Sequence, residues 1–331
     1  MLSADPSGTS RTYGVEATPR ADMRAVRTAI LRADCVLSGG GGLFQNSTST
    51  RSLLYYTGIV RSAIRSGKKT MIFAQSIGPL DFIGRAIVRV ACRGVGAATV
   101  RDERSRTLLQ QAIPHLAVER TADPVFLYDP PPAGDLAVEG LGDASKPLVV
   151  ACIRMSANFS AVSRTVASTV DLLAERFGAR TAFLPLGGAR DADAATRVIR
   201  MAKSSPVLLP EHDLAGAAAI ISRARAVIGM RLHALILAAR LGIPFLAIPY
   251  DPKVSALCED LGYPLPALVD PAAEAPSRER IEASVDRVWS SRDELATMLL
   301  DATARMRARA ERNFDVLDAL LQGAPSPAPN P

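Results

Sequence analysis

The chain has 331 residues, which is long enough for two domains, and 48% of them are hydrophobic, which is enough for sizeable cores. Lysine and arginine outnumber aspartate and glutamate by 39 to 33, giving a net charge of +6. The arginines are dispersed and aromatic residues make up only 5% of the chain, so the composition argues against a nucleic-acid-binding protein. No apolar run reaches the roughly 20 residues of a membrane span, and no secretory signal follows Met1.

The cysteines and the net charge indicate the cellular compartment and the kinds of partner to expect. The four cysteines are widely separated and lack the spacing of metal ligands, which indicates reduced thiols in a cytoplasmic protein. The positive charge is explained either by an arginine-rich genomic bias or by an anionic substrate or membrane surface. We therefore expect a cytoplasmic protein without a transmembrane segment, whose contact with a membrane is at most peripheral.

The first part of the chain alternates between strands and helices after a stretch without periodicity at 1–20. We predict, in order, a helix at 24–32, a strand at 35–38, a glycine run at 39–42, a helical stretch that opens at 43–45 and resumes over 53–64, a strand at 70–74, a helix at 83–91 and a strand at 97–100. Asp102 is placed to cap the helix that follows. Such alternation is typical of a parallel sheet with helices on both faces.

A segment rich in proline, glycine and aspartate at 130–146 is the best linker in the chain. Beyond it we predict strands at 148–153, 181–184 and 207–209, helices at 163–177 and 193–203, and a helix at 214–222 capped by Asp213. A long helical region at 281–321 precedes a proline-rich tail that we expect to be disordered. The predicted fold is α/β, with two Rossmann-like domains facing across a cleft. Their expected bounds are 1–135 and 146–275, followed by C-terminal helices at 276–323 and the tail at 324–331.

The stretch at 226–253 carries the strongest functional signal. It reads as strand, helix and strand, and it places Arg231 and His233 at the start of the helix and Lys253 after the second strand. Ligands of open α/β sheets bind at the carboxyl ends of strands, where these three side chains should meet. Such a cluster suits a small anion that carries a carboxylate and a phosphate. A capping or packing histidine beside a surface arginine is the alternative, and the local sequence leaves it open.

Two further features are weaker candidates. The run Gly39–Gly42 lacks Cβ atoms and precedes an expected helix, so its backbone could approach an anion. It matches neither a P-loop nor a dinucleotide fingerprint. Arg101 at a strand end could fork onto a carboxylate or phosphate, or it could pair with Asp102 or Glu103. We interpret His115 and His212 as incidental, and we find no metal-ligand constellation and no Ser/His/Asp spacing.

Taken together, six motifs resemble the polysaccharide pyruvyl transferase family. They occur in the family's order over residues 36–262, and they are Ser38-Gly-Gly-Gly-Gly-Leu-Phe-Gln-Asn, Ala74-Gln-Ser-Ile-Gly-Pro, Val100-Arg-Asp-Glu, Ala122-Asp-Pro, Ile228-Gly-Met-Arg-Leu-His-Ala and Tyr250-Asp-Pro-Lys-Val. The resemblance implies a GT-B-like fold and a transferase that moves pyruvate from phosphoenolpyruvate onto a cell-wall or exported polysaccharide as a ketal. The partners it implies are phosphoenolpyruvate and a saccharide acceptor, free or lipid-linked, with no cofactor, metal or nucleic acid.

The resemblance also implies roles for individual residues. His233 is the expected general acid, and phosphoenolpyruvate is expected to bind at Arg101, Arg231, Leu232 and Lys253. Gly40, Gly41, Gly42, Gln45 and Gln75 are candidates for loops that line the cleft. A GT-B glycosyltransferase that uses a nucleotide sugar is the alternative enzyme, although no acidic pair for a ribose is evident. A non-catalytic carbohydrate-binding relative is the remaining alternative.

One departure from the family concerns the N-terminus. Family members usually open with a strand and a Gly-x-x-Asn-x-Gly-Asp loop, whereas Leu2-Ser-Ala-Asp-Pro resembles the family's second strand. We favour a start codon assigned too far downstream over the loss of a strand–helix unit, since a lost strand would leave backbone groups unpaired. The expectation is a truncated N-terminal domain in which part of the acceptor side of the cleft is missing.

Overall fold

A computed structural model describes residues 1–47, 49–130, 141, 145–265, 268 and 276–324. The chain divides into two compact units: the first comprises Met1–Pro124 and Arg309–Pro331, and the second comprises Val125–Ala308. Most of the predicted linker at 130–146 and all of the predicted disordered tail beyond residue 324 lie outside the described residues.

The first unit is built on a parallel sheet of four strands. In chain order its elements are β1 (Leu2–Ser3), α1 (Pro6–Tyr13), β2 (Thr18–Pro19), α2 (Met23–Arg32), β3 (Cys35–Gly39), α3 (Thr50–Arg65), β4 (Lys69–Gln75), α4 (Phe82–Ala91), β5 (Ala97–Val100), α5 (Glu103–Ala112) and β6 (Val118–Arg120). The strand order in the sheet is β3-β4-β5-β6, and β1 and β2 pair separately. The core of the unit packs side chains of β4, β5 and β6 against α3, α4 and α5.

The helices of this unit begin where short polar side chains satisfy free amides. Asp102 accepts a hydrogen bond from the Ser105 amide at 2.7 Å, which is the cap that the sequence predicts for α5. Asp81 accepts from the Gly84 amide at 2.7 Å at the start of α4. Both caps lie at the carboxyl ends of strands, so they fix the edge of the sheet at which ligands bind in such folds.

The prediction of a helix directly after the glycine run is wrong, because α3 begins only at Thr50. The intervening chain runs alongside the loop that follows β4: Phe44 pairs with Ile77, and its carbonyl accepts from the Gly78 amide at 2.7 Å. Phe44 is fully buried, and this extended path is what delivers its ring to the core. The glycine run therefore does not sit at a helix N-terminus.

The second unit contains a parallel sheet of five strands in the order β11-β10-β7-β8-β9. Its elements in chain order are β7 (Leu148–Cys152), α6 (Phe159–Phe177), β8 (Arg180–Phe183), α7 (Ala189–Ile199), β9 (Val207–Leu208), α8 (Leu214–Ser222), β10 (Ala226–Gly229), α9 (Leu232–Arg240), β11 (Phe245–Ala247), α10 (Pro252–Leu261), α11 (Arg278–Ser290) and α12 (Arg292–Gln322), the last of which passes into the first unit at Arg309. The central strands are buried along their whole length, as parallel strands covered on both faces should be.

Several boundaries in this unit differ from the sequence prediction. Helix α7 spans Ala189–Ile199 rather than 193–203, and the long C-terminal region is two helices separated at Ser291. A further helix, α10, begins after Tyr250: Asp251 accepts from the Lys253 amide at 3.1 Å, and Pro252 occupies the first helical turn. Within the described residues, no helix is both long and apolar enough to cross a membrane.

Candidate active site

Arg231 lies at the carboxyl end of β10, in the N-cap position of α9. Its Nε donates to Asp191 Oδ2 at 2.7 Å and its Nη2 donates to Asp191 Oδ1, so one edge of the guanidinium is engaged in two parallel bonds. The Asp191 side chain is 1% exposed, whereas that of Arg231 is 24% exposed. The carboxylate therefore fixes the arginine from the protein side, and the opposite guanidinium edge, formed by Nη1 and the second Nη2 hydrogen, is not used by this pair.

Two glycines make room for this arrangement. A Cβ on Gly187 would lie 2.0 Å from Arg231 Nη2, so only a glycine lets the guanidinium reach Asp191. A Cβ on Gly229 would lie 2.3 Å from Leu235 Cδ2, so the leucine side chain of α9 would have to move. Asp191 itself is presented by the first turn of α7, after β8. The pair thus joins the elements that follow two strands flanking the central β7.

Cys152 ends β7 between those two strands and is fully buried. Burial and, to a smaller extent, the Asp191 carboxylate raise the pKa of its thiol to about 12 against the opposing effect of Arg231. A thiol with such a pKa stays protonated at neutral pH. Cys152 consequently packs beneath the ion pair as an apolar neighbour and supplies no nucleophile.

His233 and Leu232 follow Arg231 in the first turn of α9. Leu232 is buried and His233 is exposed. Lys253 lies in the first turn of α10, where its Nζ is 3.2 Å from Asp251 Oδ2 and 6.0 Å from the centroid of the Tyr250 ring. The predicted residues of this unit therefore all lie in segments that follow β10 and β11 at the carboxyl end of the sheet.

Arg154 is a residue of this edge that sequence reasoning missed. It follows β7, its Nη1 donates to Tyr250 Oη at 2.9 Å, and its guanidinium carbon lies 4.8 Å from the centroid of that ring. Its Nε is buried and has no hydrogen-bond partner within the described part of the chain. The available signal was its position directly after a predicted strand. Arg154 and Lys253 thus approach the same tyrosine, and a cavity of about 100 Å³ borders that ring.

In the first unit, Arg101 ends β5 and is paired internally. Its Nη1 bonds to Asp123, and its Nε donates to Ser76 Oγ at 2.6 Å. Ser76 Oγ in turn donates to Asp102 Oδ2 at 3.1 Å. The ion-pair alternative considered for Arg101 therefore has a different partner from the expected Asp102 or Glu103. Arg101 and Asp123 are both more than nine-tenths buried, so the pair organises this edge of the sheet.

The residues predicted to line the cleft from the first unit differ in their backbone conformation and their contacts. Gly40 and Gly41 have φ angles of +71° and +65°, and a Cβ on either would meet open space. Gly42 has no such backbone requirement. Gln75 is fully buried, and its Nε2 donates to the Ser38 carbonyl at 2.5 Å and to Ser38 Oγ at 2.7 Å, which ties β4 to β3. Gln45 is half-buried and accepts from Ser47 Oγ at 2.7 Å.

The model of the family described as polysaccharide pyruvyl transferase matches residues 1–252. The chain belongs to this family. The match includes the strands that carry Arg101, Arg154 and Arg231, and it ends at Pro252, immediately before Lys253. No curated protein matches the chain by sequence.

Solved structures with a similar fold are found at low sequence identity. The S. aureus protein MnaA in a structure with UDP has a TM-score of 0.66 at 10% identity, covering 100% of this chain and 91% of that one. UDP-GlcNAc 2-epimerase from Neisseria meningitidis, bound to UDP-GlcNAc, has a TM-score of 0.60 at 11% identity, with 90% and 81% covered. An α,α-trehalose-phosphate synthase from Burkholderia vietnamiensis has a TM-score of 0.59 at 14% identity, with 92% and 78% covered. These are GT-B fold enzymes, and the α/β, GT-B-like fold class predicted from the sequence is confirmed.

Proposed function

We propose that this member of the family transfers pyruvate from phosphoenolpyruvate to a pair of hydroxyls on a saccharide, forming a pyruvate ketal. The observation that carries the proposal is the Arg231–Asp191 pair, which fixes a guanidinium at the carboxyl end of β10, two residues before His233. A carboxylate and a guanidinium edge match in geometry, so this edge suits the carboxylate of phosphoenolpyruvate.

The phosphate of the donor requires separate cationic groups. Lys253 and Arg154 both approach Tyr250, and Arg154 has a buried Nε without an acceptor. A phosphate oxygen is an acceptor that would satisfy such a donor, and Lys253 would neutralise the remaining charge as a compact cation. We assign the phosphate to these two residues and the carboxylate to Arg231, with Leu232 as the buried apolar residue between Arg231 and His233.

The reaction then needs one proton donor. His233 gives a proton to the methylene carbon, which leaves a cationic centre at C2 that the first sugar hydroxyl attacks as it loses its proton. The C2–O bond to phosphate breaks, and the second hydroxyl adds at C2. Of the two hydroxyl protons, one ends in the new methyl group by way of His233, and the other leaves with inorganic phosphate. General acid catalysis of this kind contributes about 10²- to 10⁴-fold in rate.

In the first unit, we propose that Arg101 serves to bind an anionic group, as the family resemblance implies for phosphoenolpyruvate. Asp123 and Ser76 hold it as Asp191 holds Arg231, since in both cases an arginine at a strand end is fixed by a buried carboxylate. The loop that contains Gly40, Gly41, Gly42 and Gln45, braced by Gln75, is proposed to contact the saccharide. The acceptor is a polysaccharide precursor of the cell envelope, free or lipid-linked, and the reaction takes place in the cytoplasm or at the inner face of its membrane.

Thermal unfolding with candidate donors tests the proposal. Phosphoenolpyruvate should raise the Tm of the wild-type chain in a concentration-dependent manner, because a ligand that binds only the folded state stabilises it. UDP-GlcNAc at the same concentrations should leave the Tm unchanged. Stabilisation by the nucleotide sugar alone would support a glycosyltransferase instead, and stabilisation by neither would support a non-catalytic relative.

A further inference from the structure

Helices α3 and α4 present a solvent-exposed surface that combines large apolar side chains with arginines. Phe82 is 78% exposed, more than any other large apolar side chain in the described part of the chain, and Ile83 and Val90 on the same helix are 61% and 60% exposed. Leu54 on α3 is also exposed. Four exposed apolar side chains on two helices make an unfavourable surface for a protein that meets only water.

The two helices lie side by side. Helix α3 connects β3 to β4 and α4 connects β4 to β5, and these parallel strands are neighbours in the sheet. Right-handed crossovers place both helices on the same face of the sheet. Their inner sides share one core cluster, in which Leu53 and Val60 of α3 meet Val88 and Ala91 of α4. Their outer sides therefore form one surface.

The charged side chains within the two helices are all basic. Helix α3 contains three arginines, α4 contains two, and neither contains an aspartate or a glutamate. Between Asp34 and Asp102 the sequence has one acidic residue, Asp81, whose carboxylate is used to cap α4. Hydrogen bonds from the Gly84 amide and from Asn46 lower the pKa of that carboxyl. Arg65 and Arg85 are exposed, whereas Arg89 donates to the Ala112 carbonyl at the end of α5.

We propose that this basic-apolar face, defined by Leu54, Phe82, Ile83 and Val90 with Arg65 and Arg85, docks the protein on an anionic lipid bilayer. Apolar side chains that enter the headgroup region and arginines that meet anionic headgroups are the two contributions by which peripheral helices bind membranes. A second copy of the chain is disfavoured, because two identical faces would bring like charges together. The docking is independent of the donor chemistry proposed above.

Co-sedimentation with vesicles tests the proposal. The full-length chain should sediment with vesicles of phosphatidylcholine and phosphatidylglycerol and stay in solution with phosphatidylcholine alone. The double variant Phe82→Gln, Ile83→Gln should lose vesicle binding. The double variant Arg65→Gln, Arg85→Gln should bind about 30-fold more weakly, since each basic residue at an anionic surface contributes about fivefold. Raising the salt concentration should weaken wild-type binding because the headgroup charge is screened.

A matched control removes the same kinds of side chain from another exposed helix of the first unit. Arg11 and Tyr13 are a basic and an aromatic residue exposed on α1, and the double variant Arg11→Gln, Tyr13→Gln should bind vesicles as the wild type does. The single variant Phe82→Trp retains the apolar character, and its fluorescence should shift to the blue when anionic vesicles are added.

Several outcomes would overturn the proposal. Failure of the wild-type protein to bind anionic vesicles would overturn it. Undiminished vesicle binding by the double variant Phe82→Gln, Ile83→Gln would also overturn it. Equal binding to uncharged vesicles would remove the role of the arginines. A concentration-dependent dimer that Phe82→Gln abolishes, without vesicle binding, would assign the face to a second copy. Binding to single-stranded DNA that depends on Arg65 and Arg85 alone would assign it to a nucleic acid.

Discussion

Asp191 holds Arg231 through two hydrogen bonds to one edge of its guanidinium, and a residue 40 positions earlier in the chain thereby orients the arginine at the end of β10. The carboxylate is almost completely buried, whereas the guanidinium is partly exposed. The buried carboxylate therefore fixes one edge of the guanidinium and leaves the opposite edge available to a ligand. The proposed binding of phosphoenolpyruvate depends on this orientation.

We predict that Asp191→Asn weakens the binding of phosphoenolpyruvate and lowers stability. The amide keeps the size of the side chain but offers one acceptor oxygen, so the two parallel bonds cannot both form. Loss of a charge-assisted hydrogen bond should cost about 2 kcal/mol of folding free energy. The affinity for phosphoenolpyruvate, measured by isothermal titration calorimetry, should fall by at least about tenfold, the factor that corresponds to 1.4 kcal/mol.

Asp193→Asn is the matched control on the same helix. Asp193 pairs with Arg197 one turn later at 3.2 Å, and both side chains are exposed. Such surface pairs contribute little, so this variant should keep the wild-type Tm and affinity. Equal effects of the two substitutions would show that the Arg231–Asp191 pair has no particular role.

A methyl group at position 187 should displace Arg231 without removing any polar atom. In Gly187→Ala the new Cβ would lie 2.0 Å from Nη2 in the present arrangement, so the guanidinium must move. We expect weaker binding of phosphoenolpyruvate with a smaller loss of stability than in Asp191→Asn. Gly58→Ala is the control, because a Cβ there meets open space on a helix and should stabilise by about 0.5–1 kcal/mol. Unchanged affinity in Gly187→Ala would contradict the assigned role of Arg231.

The Arg101–Asp123 pair should contribute to the stability of the first unit. Both side chains are buried, and removal of one partner would leave the other as an uncompensated charge. Asp123→Asn should therefore destabilise by about 3–5 kcal/mol, as measured by chemical denaturation. The double variant Arg101→Met, Asp123→Leu should recover much of that loss because no buried charge remains. Additive losses in the double variant would show that the two residues are not coupled.

The four cysteines should resist thiol reagents in the folded protein. Burial raises the pKa of Cys92 and of Cys152 to about 12 and that of Cys258 to about 11, and it also raises the pKa of Cys35. The thiolate is the reactive form, so labelling by a chromogenic disulfide at pH 8 should be slow and should accelerate as the pH rises toward these values. All four thiols should react promptly in denaturant. Rapid labelling of Cys152 in the native protein would contradict its burial beneath Arg231.

His233→Ala should separate binding from chemistry. Release of inorganic phosphate from phosphoenolpyruvate, measured with a saccharide extract of the cell envelope as acceptor, should fall by about 10²- to 10⁴-fold. The affinity for phosphoenolpyruvate should change by less, because Arg231 and Lys253 remain. Near-normal phosphate release in this variant would remove His233 from the role of general acid.

The strand-end position of Arg231 was predictable because a short apolar run, a helix with an apolar face and a second strand adjoin one another in the sequence. Its partner was not, since Asp191 and Gly187 belong to another strand–helix unit and only the sheet order brings them close. Arg154 was missed for a related reason: it is marked as a site residue by its hydrogen bond to Tyr250, which lies 96 residues later in the chain.

The glycine run illustrates the opposite case. The local pattern predicted a helix at Leu43, but Phe44 is buried in the core and α3 begins only after its N-cap, Ser49. Tertiary packing overrides a local preference where a large side chain must be buried. Similarly, an ion pair of Arg101 was predicted with its sequence neighbours Asp102 or Glu103. The observed partner is Asp123, which the pairing of adjacent strands brings close to Arg101.

Calorimetric titration of the full-length protein with phosphoenolpyruvate, for the wild type and for Arg231→Gln, tests the central claim most directly. The wild type should bind phosphoenolpyruvate at one site, Arg231→Gln should bind it at least about tenfold more weakly, a loss of 1.4 kcal/mol or more, and UDP-GlcNAc should give no heat with either. Absence of binding to the wild type, or equal affinity of the two proteins for phosphoenolpyruvate, would contradict the assignment of this site.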